Sequence, residues 1–264
     1  MKRYIFLLYG VLAYVVFLAT FLYLIGFTGN LLVPKGIDGA VEVPLWLAIL
    51  TNLGLIALFG AQHSIMARPW FKQWWARYLP ESIERSTFVL LSCVALVVMF
   101  YFWQPMGGLV WTISHPVSVG IIYMLFASGW GLVLLSSFLI NHFDLFGLRQ
   151  VWLYFRKKPY TDLPFDTPLL YKFIRHPLYF GILLAFWAAP EMSVSRLFFA
   201  LIFTLYALKA MQWEEKDLIK HFGETYRRYK SRIPMIIPIP YIIVKRNKVS
   251  DYETIMKSHQ QEAV

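Results

Sequence analysis

The sequence predicts an all-α integral membrane protein with four transmembrane helices followed by a C-terminal helical hairpin, which makes five to six membrane helices in total. Two observations support this fold class. Of the 264 residues, 58% are hydrophobic and only 15% are charged, whereas soluble domains carry about 25% charged residues. Several stretches also lack charged residues over lengths that cross a bilayer. These properties exclude an ordinary soluble enzyme and a disordered protein, and the single cysteine excludes a disulfide scaffold.

The four transmembrane helices follow from the stretches that contain no Asp, Glu, Lys or Arg. A helix needs about 20 apolar residues to cross the hydrocarbon core, and the first two stretches, 4–34 and 43–67, each suit one helix. The third stretch, 86–143, is long enough for two helices and contains turn-forming residues at 104–108 and 114–116. The predicted helices therefore lie at about residues 5–28, 44–65, 86–103 and 117–141.

The predicted hairpin consists of apolar stretches at 177–189 and 193–212, which are separated by Pro190 and Glu191. The first stretch would form a helix about 20 Å long, which is shorter than the hydrocarbon core of about 30 Å. We therefore expect this arm to be short, tilted or buried against its neighbours. Both a spanning and a re-entrant arrangement stay open.

Lys and Arg are distributed very unevenly along the chain. Of these 25 residues, 22 fall on one side of the predicted helices. The positive-inside rule then predicts a multi-pass protein of the cytoplasmic (inner) membrane with both termini in the cytoplasm. Residues 1–244 are expected to form a single membrane domain, in which 213–244 is a cytoplasmic amphipathic segment that forms a helical lid. Residues 245–264 are expected to form a polar tail.

The same distribution restricts the partners of the protein. The basic residues flank membrane helices instead of forming one soluble patch, so the expected partner is the lipid bilayer and not a nucleic acid. The six His residues show no paired spacing of metal ligands, and no metal is expected. No Gly-x-Gly-x-x-Gly follows a strand, and Gly129 and Gly131 lie within a predicted helix, where close helix packing is the expected role. The oligomeric state stays open.

Polar residues gather at the cytoplasmic end of the predicted hairpin. Pro177 favours the first turn of a helix, so Arg175 and His176 lie at a helix entrance whose free N–H groups suit an anion. The second arm returns Glu214 and Glu215 to the same face. A cation beside paired carboxylates suits a ligand that carries both an amine and a carboxylate. The alternative is a rim of snorkelling surface charges.

Aromatic residues follow this segment. Gly223 suits a helix stop, and Phe222, Tyr226 and Tyr229 recur at i, i+4 and i+7. Such a face can cover an adenine ring. The alternative is ordinary packing or an aromatic belt at the membrane interface.

Two resemblances to known families cover most of the chain. Between residues 175 and 234 the sequence resembles the C-terminal signature of the membrane methyltransferases related to isoprenylcysteine carboxyl methyltransferase, and the phospholipid N-methyltransferases and the NnrU family are similar in this region. The residues that carry this resemblance are Arg175-His176-Pro177-x-Tyr179-x-Gly181, Glu214-Glu215-x-x-Leu218-x-x-x-Phe222-Gly223-x-x-Tyr226-x-x-Tyr229 and Pro234. A second resemblance, to the bacterial methanethiol S-methyltransferases, is carried by the segments 62–68, 84–86 and 141–150.

The second resemblance implies methyl transfer from S-adenosylmethionine to methanethiol, a small volatile thiol, with release of dimethyl sulfide. The residues implied in cofactor binding are Arg175, His176, Pro177, Tyr179, Gly181, Glu214, Glu215 and Tyr226. The residues implied in substrate binding are His63, Asn141, His142 and Phe143. Two alternatives stay open: a related membrane methyltransferase that acts on a prenylcysteine carboxylate or a lipid, and a non-enzymatic NnrU-like accessory protein.

Methylation of a thiol requires the loss of its proton, because the thiolate is the nucleophile. The candidate acceptors are Asp144 and His142, at the cytoplasmic end of the fourth helix, while Arg175 or Arg149 can instead favour the thiolate by charge. Each candidate also has a structural interpretation. His142 can make a structural hydrogen bond, Asp144 can pair with Arg149 or cap a helix, and His63 can be a satisfied core residue.

Overall fold

The fold is that of a computed structural model, which describes residues 1–237. Five helices in this range are long and apolar enough to cross a membrane: α1 (Lys2–Gly29), α2 (Leu45–Met66), α4 (Glu81–Phe102), α5 (Pro116–Ile140) and α9 (Val194–Phe222). The shorter helices are α3 (Pro69–Trp75), α6 (His142–Leu145), α7 (Leu148–Phe155), α8 (Pro177–Trp187) and α10 (Glu224–Arg232). The prediction of an all-α integral membrane protein is confirmed. The predicted tail at 245–264 and the end of the predicted lid lie outside the described residues.

Helix α4, which corresponds to the predicted helix at 86–103, begins earlier than its hydropathy predicts. It starts at Glu81 instead of residue 86, and both Glu81 and Glu84 lie in its first turn. Acidic side chains are favourable there, because the free N–H groups at a helix start carry partial positive charge. The helix therefore begins before the apolar stretch does.

The predicted hairpin is formed by α8 and α9, and its first arm is short. The 11 residues of α8 give a length of about 16 Å at 1.5 Å per residue. This arm packs closely on α5, because Gly129 and Gly181 face each other where the two helices cross. A Cβ atom on Gly129 would lie 2.7 Å from the carbonyl oxygen of Gly181, so the two backbones touch, as small residues allow in membrane proteins. Gly129 thus has the packing role that its place in a helix predicts.

The second arm differs from the prediction at its C-terminal end. We expected a helix at 193–212, whereas α9 continues without a break to Phe222. Apolar side chains end at residue 212, but backbone hydrogen bonds within a helix do not require them. The helix ends at Gly223, whose φ of 56° suits glycine. The predicted stop at Gly223 is confirmed.

A two-stranded ribbon closes one end of the bundle, where the sequence predicted only turns. Strand β1 (Leu109–Thr112) pairs antiparallel with β2 (Glu191–Ser193) at the tip of the hairpin. Strands of three or four residues are too short to show an alternating pattern. Beside the ribbon, Arg196 Nε donates to Asp38 Oδ2 at 2.7 Å and ties α9 to the connection between α1 and α2.

The core of the bundle is rich in aromatic residues. Phe27 of α1, Trp103 after α4 and Phe199 of α9 are almost fully buried and contact one another edge to face or tilted. Trp103 Nε1 also donates to the carbonyl oxygen of Ile37 at 3.0 Å, so its polar atom is satisfied. This core fixes the positions of α1, α4 and α9, and most of the charged side chains lie at the end of the bundle opposite the ribbon.

We call that opposite end the basic end, and define it by Arg68, Arg85, Arg149, Arg175 and Lys230. It contains the last turn of α2, the first turns of α4 and α8, and the helices α3, α6, α7 and α10. All the polar segments that the sequence singled out lie here. Helices α3 and α7 are surface helices that the sequence analysis did not predict.

Candidate active site

The α8–α9 hairpin brings a cation and a carboxylate together at the basic end. Arg175 lies just before α8, and Glu215 lies two turns before the end of α9. The guanidinium Nε donates to Glu215 Oε1 at 2.6 Å. The hairpin thus brings two residues that are 40 positions apart in the sequence into direct contact.

Glu215 is the centre of a buried ion cluster. Its side chain is only 5% exposed, and it contacts two further groups besides Arg175. His176 Nε2 lies 3.2 Å from Oε1, and Lys230 Nζ lies 2.7 Å from Oε2. Both carboxylate oxygens are therefore occupied by the side chains of this chain. Lys230 belongs to α10, and the sequence analysis did not single it out.

Arg175 also fixes the position of α10. Its Nη1 donates to the carbonyl oxygens of Lys230 and Ile233, and its backbone N–H donates to the carbonyl oxygen of Pro234 at 2.9 Å. A cation is favourable at these carbonyl groups, because the C-terminal end of a helix carries partial negative charge. Arg175 thus joins the start of α8 to the end of α10.

Glu214 is more open to its surroundings than Glu215. Its side chain remains 45% exposed, and its Oε2 lies 3.8 Å from His176 Nδ1, which is too far for a hydrogen bond. The phenol of Tyr179, in the first turn of α8, lies close to the same carboxylate. Glu214 therefore makes fewer contacts within the protein than Glu215 does.

His176 lies between the two carboxylates. Burial lowers the pKa of its imidazole, although the Glu215 carboxylate acts in the opposite direction. A neutral imidazole has one N–H and one lone pair. The N–H belongs on Nε2, which is within hydrogen-bond distance of Glu215, so Nδ1 carries the lone pair toward Glu214. Two acceptors then face each other across 3.8 Å.

The other residues expected to bind a cofactor have packing roles in this structure. Pro177 occupies the first position of α8, and Gly181 lies at the crossing with α5. Tyr226 is 2% exposed. It surrounds Phe165 together with Phe222 and Tyr229, at ring distances of 5.8, 5.2 and 5.4 Å.

The sequence analysis did not single out Phe165, because this residue lies in the connection between α7 and α8, where no helical pattern of apolar residues marks it. Burial raises the pKa of Tyr229 to about 12, and its hydroxyl donates to the carbonyl oxygen of Tyr171 at 2.6 Å.

An open groove of about 500 Å³ adjoins the rings of Phe165 and Tyr229. Its lining residues are Phe165, Thr167, Lys172, Glu224, Thr225, Arg228, Tyr229, Arg232 and Ile233.

A second cluster at the basic end joins the three segments 62–68, 84–86 and 141–150. Arg85 Nε donates to the carbonyl oxygen of Leu145 at 2.7 Å, and Gly147 is packed directly against Ser86. These contacts join the start of α4 to the α5–α7 connection, and Met66 and Ala67 at the end of α2 pack with Phe146 on the same buried cluster of α4. Sequence spacing alone does not reveal this arrangement.

His142 is held by hydrogen bonds on both ring nitrogens. Tyr14 of α1 lies 2.8 Å from Nε2, and Ser137 Oγ lies 2.8 Å from Nδ1. The ring also stacks on Phe138 at 4.1 Å, and burial lowers the pKa of the imidazole. This is the structural arrangement that the sequence analysis gave as the alternative to a proton acceptor.

Asp144 is paired with neighbouring side chains. Its Oδ1 accepts from Arg149 at 2.8 Å, and its Oδ2 accepts from Tyr160 at 3.3 Å. Asn141 caps α6 by accepting from the backbone N–H of Asp144 at 3.1 Å. Phe143 is 52% exposed and lies on the outside of this segment.

His63 lies in the last two turns of α2, between aromatic rings. Its ring packs on Phe59 at 5.4 Å and on Phe88 at 4.9 Å. Its Nδ1 lies 3.3 Å from Ser92 Oγ. The residues that follow it connect this region to α9, because Ser64 Oγ is 3.0 Å from the Tyr206 hydroxyl and Arg68 pairs with Asp217 at 3.0 Å.

Several characterised proteins are similar to this chain over most of its length. A methanethiol S-methyltransferase of Crocosphaera subtropica is 50% identical over 238 residues, which are 90% of this chain and 93% of that protein. A methanethiol S-methyltransferase of Pseudomonas deceptionensis is 51% identical over 210 residues, or 80% of each chain. Nurim of Bos taurus is 30% identical over 197 residues, which are 69% of this chain and 70% of that protein. No family model and no solved structure matches the chain.

Proposed function

The chain belongs to the methanethiol S-methyltransferase family, and on this premise we propose that it transfers a methyl group from S-adenosylmethionine to methanethiol at the cytoplasmic face of the inner membrane. The names of the relatives support methanethiol as the acceptor. The cleft between α8 and α9 supports S-adenosylmethionine as the donor. The observation that carries this proposal is the pair of acceptors formed by His176 Nδ1 and Glu214, 3.8 Å apart.

This pair has the chemistry of a site for an ammonium group. A primary ammonium has three N–H donors, so it can donate to the carboxylate and to the imidazole lone pair at once. The methionine part of S-adenosylmethionine carries such an ammonium beside a carboxylate. The carboxylate would meet the free N–H groups in the first turn of α8, where an anion is favourable.

Glu215 has a different part in this proposal. Its oxygens are bound by Arg175, His176 and Lys230, so it holds the walls of the cleft in place and does not contact the cofactor. It also fixes the tautomer of His176, because it accepts a hydrogen bond from Nε2–H. The other ring nitrogen, Nδ1, then carries the lone pair.

When bound, S-adenosylmethionine supplies an electrophilic methyl group on a sulfonium, whose charge is lost in the transfer. The chain must therefore bind the periphery of the donor more strongly than the sulfonium itself, because a carboxylate at the sulfur would stabilise the ground state over the transition state. Glu214 meets this requirement if it binds the amino-acid end. Positioning in a site that excludes water then supplies much of the rate.

The thiol would bind beside the aromatic rings at the end of α2. The ring of His63 packs on Phe59 and on Phe88 there, and the neighbouring Ser64 contacts Tyr206 of α9. Methanethiol is small and apolar, so it can reach these rings from the lipid. The polar donor would arrive from the opposite direction, through the basic end.

The orientation of the protein in the membrane is inferred from the distribution of its basic residues. The basic end contains most of the Lys and Arg residues and would face the cytoplasm by the positive-inside rule. Trp70, Trp74 and Tyr78 on and after α3 are largely exposed. They would lie at the interface between lipid and water, which such side chains prefer.

The proposal is tested with Glu214→Gln and a matched control, Glu224→Gln, in detergent-purified protein. Glu224 lies on α10 with its side chain 63% exposed and pairs only with Arg228 among the residues described. S-adenosylhomocysteine binding is measured by calorimetry, and dimethyl sulfide is measured by gas chromatography of the headspace. We expect at least tenfold weaker binding and a corresponding loss of product for Glu214→Gln, and changes below twofold for Glu224→Gln. Equal binding by both variants and the wild type would refute the cleft as the cofactor site.

A further inference from the structure

The proposed reaction releases a proton, and the hydrogen bonds of the candidate acceptors distinguish between them. In His142, the hydroxyl of Ser137 donates to the carbonyl oxygen of Leu134 at 2.7 Å. Its oxygen must therefore accept from Nδ1–H, which leaves the Nε2 lone pair to accept from the Tyr14 hydroxyl. Both nitrogens of His142 are committed to the fold.

Asp144 is committed in the same way. Its carboxylate accepts from Arg149, Gln150 and Tyr160. Protonating it would break the ion pair that joins α6 to α7.

His63 is arranged differently. The hydroxyl of Ser92 donates to the carbonyl oxygen of Phe88 at 2.9 Å, so its oxygen accepts from His63 Nδ1–H at 3.3 Å. The proton of the neutral imidazole is thereby placed on Nδ1, and Nε2 carries the lone pair. Within residues 1–237, Nε2 makes no hydrogen bond, and the side chain is not fully buried.

The surroundings of His63 suit a thiol that becomes a thiolate. Phe59 and Phe88 form apolar walls on two sides of the ring, and the Arg85 guanidinium lies 5.0 Å from the ring of Phe88. A guanidinium can favour a nearby anion. From α9, Tyr206 approaches the neighbouring residue Ser64.

From this arrangement we propose that His63 Nε2 accepts the proton of methanethiol during methyl transfer. This inference rests on the proposed function and names the catalytic base within it. The S–H bond breaks as the proton moves to Nε2, and the electron pair on sulfur forms the new bond to the methyl carbon. The bond from that carbon to the donor sulfur breaks, and its electron pair stays on the donor sulfur, so the sulfonium charge is lost. The products are dimethyl sulfide, S-adenosylhomocysteine and an imidazolium that returns its proton to water.

The variant His63→Asn tests this role, because the amide nitrogen of Asn can keep the donor to Ser92 while it removes the base. The variant His142→Asn serves as the structural comparison. Two acceptors are compared at pH 7: methanethiol, which must be deprotonated, and methaneselenol, an isostere that is already ionised. S-adenosylhomocysteine binding is measured in parallel to show that each variant keeps the cofactor site.

For His63→Asn we expect kcat/KM with methanethiol to fall by about 10²- to 10⁴-fold, the usual contribution of a general base, while turnover of methaneselenol changes less than threefold. The remaining activity with methanethiol should rise about tenfold per pH unit, because the thiolate fraction in solution rises at that rate. The activity of the wild type should depend much less on pH over the same range, because His63 takes up the proton within the site. His142→Asn should affect both acceptors equally.

Two results would overturn this assignment while leaving the proposed function intact. The first is a His63→Asn variant that binds S-adenosylhomocysteine and methylates methanethiol within threefold of the wild type. The second is an equal loss with both acceptors, which would show a structural role. A wild type that produces no dimethyl sulfide would instead contradict the proposed function itself.

Discussion

At the scale of single residues, two adjacent glutamates have opposite tasks. Glu215 is enclosed by three cationic or imidazole side chains, whereas Glu214 keeps nearly half of its surface exposed. The sequence predicted that Arg175 and the glutamates would meet, because a hairpin returns its ends to one face. It did not distinguish the two glutamates, since successive positions on a helix point in directions about 100° apart and only the packed neighbours decide which one is buried.

The difference between the glutamates gives a prediction for stability. Removing one partner of a buried ion cluster leaves the other charges without compensation, and this costs about 3–5 kcal/mol. Glu215→Gln should therefore lower the temperature of thermal unfolding strongly and weaken cofactor binding as a consequence. Glu214→Gln should weaken binding with almost no change in unfolding temperature. Thermal unfolding in detergent, followed by tryptophan fluorescence, measures both, and equal unfolding temperatures would contradict the description of Glu215.

Lys230 shows the limit of sequence reasoning at this scale. It contacts Glu215 at 2.7 Å but lies among several basic residues of α10 that look alike in the sequence. Only the fold of α10 back onto α8, fixed by the hydrogen bonds of Arg175, selects it. His63 is similar, because the hydroxyl that fixes its tautomer comes from α4.

At the scale of secondary-structure elements, the five long helices could be predicted because hydropathy determines where a chain crosses a membrane. The ends of the helices could not, because they depend on backbone conformation and on neighbours. Helix α9 continues past its apolar part to Gly223. Helices α3 and α7 are short and lie at the surface, and neither has the length that makes a periodic pattern visible.

The crossing of α5 and α8 gives a prediction at this scale. A Cβ atom on Gly129 would lie 2.7 Å from backbone atoms of α8, whereas one on Gly131 would meet nothing within 4 Å. Gly129→Ala should therefore separate the helices, lower the unfolding temperature and weaken S-adenosylhomocysteine binding, because α8 begins at the proposed cofactor site.

Gly131→Ala is the matched control for that substitution, two residues away on the same helix. It should leave stability unchanged or raise it by up to about 1 kcal/mol, because alanine favours helix over glycine. Unfolding temperature and binding are measured for both variants. An unchanged Gly129→Ala protein would contradict the close contact between the two backbones.

At the scale of the whole molecule, the two ends of the bundle differ, because the ribbon covers one end and most of the charged residues lie at the other. This polarity predicts which end faces which compartment. The native Cys93 is buried, so a single added cysteine reports its own location. With a membrane-impermeant maleimide on intact cells, Glu42→Cys near the ribbon should be labelled, whereas Lys158→Cys at the basic end should be labelled only after the cells are opened. Labelling of Lys158→Cys in intact cells would contradict the proposed orientation.

The same polarity accounts for how the two substrates meet. His63, which we assign as the base, lies on the last turn of α2, and the neighbouring Ser64 contacts Tyr206 of α9, the helix that also carries Glu214. In the proposed function, a polar donor would reach this region from water and an apolar acceptor from lipid.

The most direct test of the account is a single turnover experiment with S-adenosylmethionine that carries a deuterated methyl group. Purified protein is mixed with this donor and unlabelled methanethiol, and the headspace is analysed by mass spectrometry. The account predicts dimethyl sulfide with one deuterated and one ordinary methyl group, formed in equal amount to S-adenosylhomocysteine. A protein that binds S-adenosylhomocysteine but releases no such labelled product would contradict it.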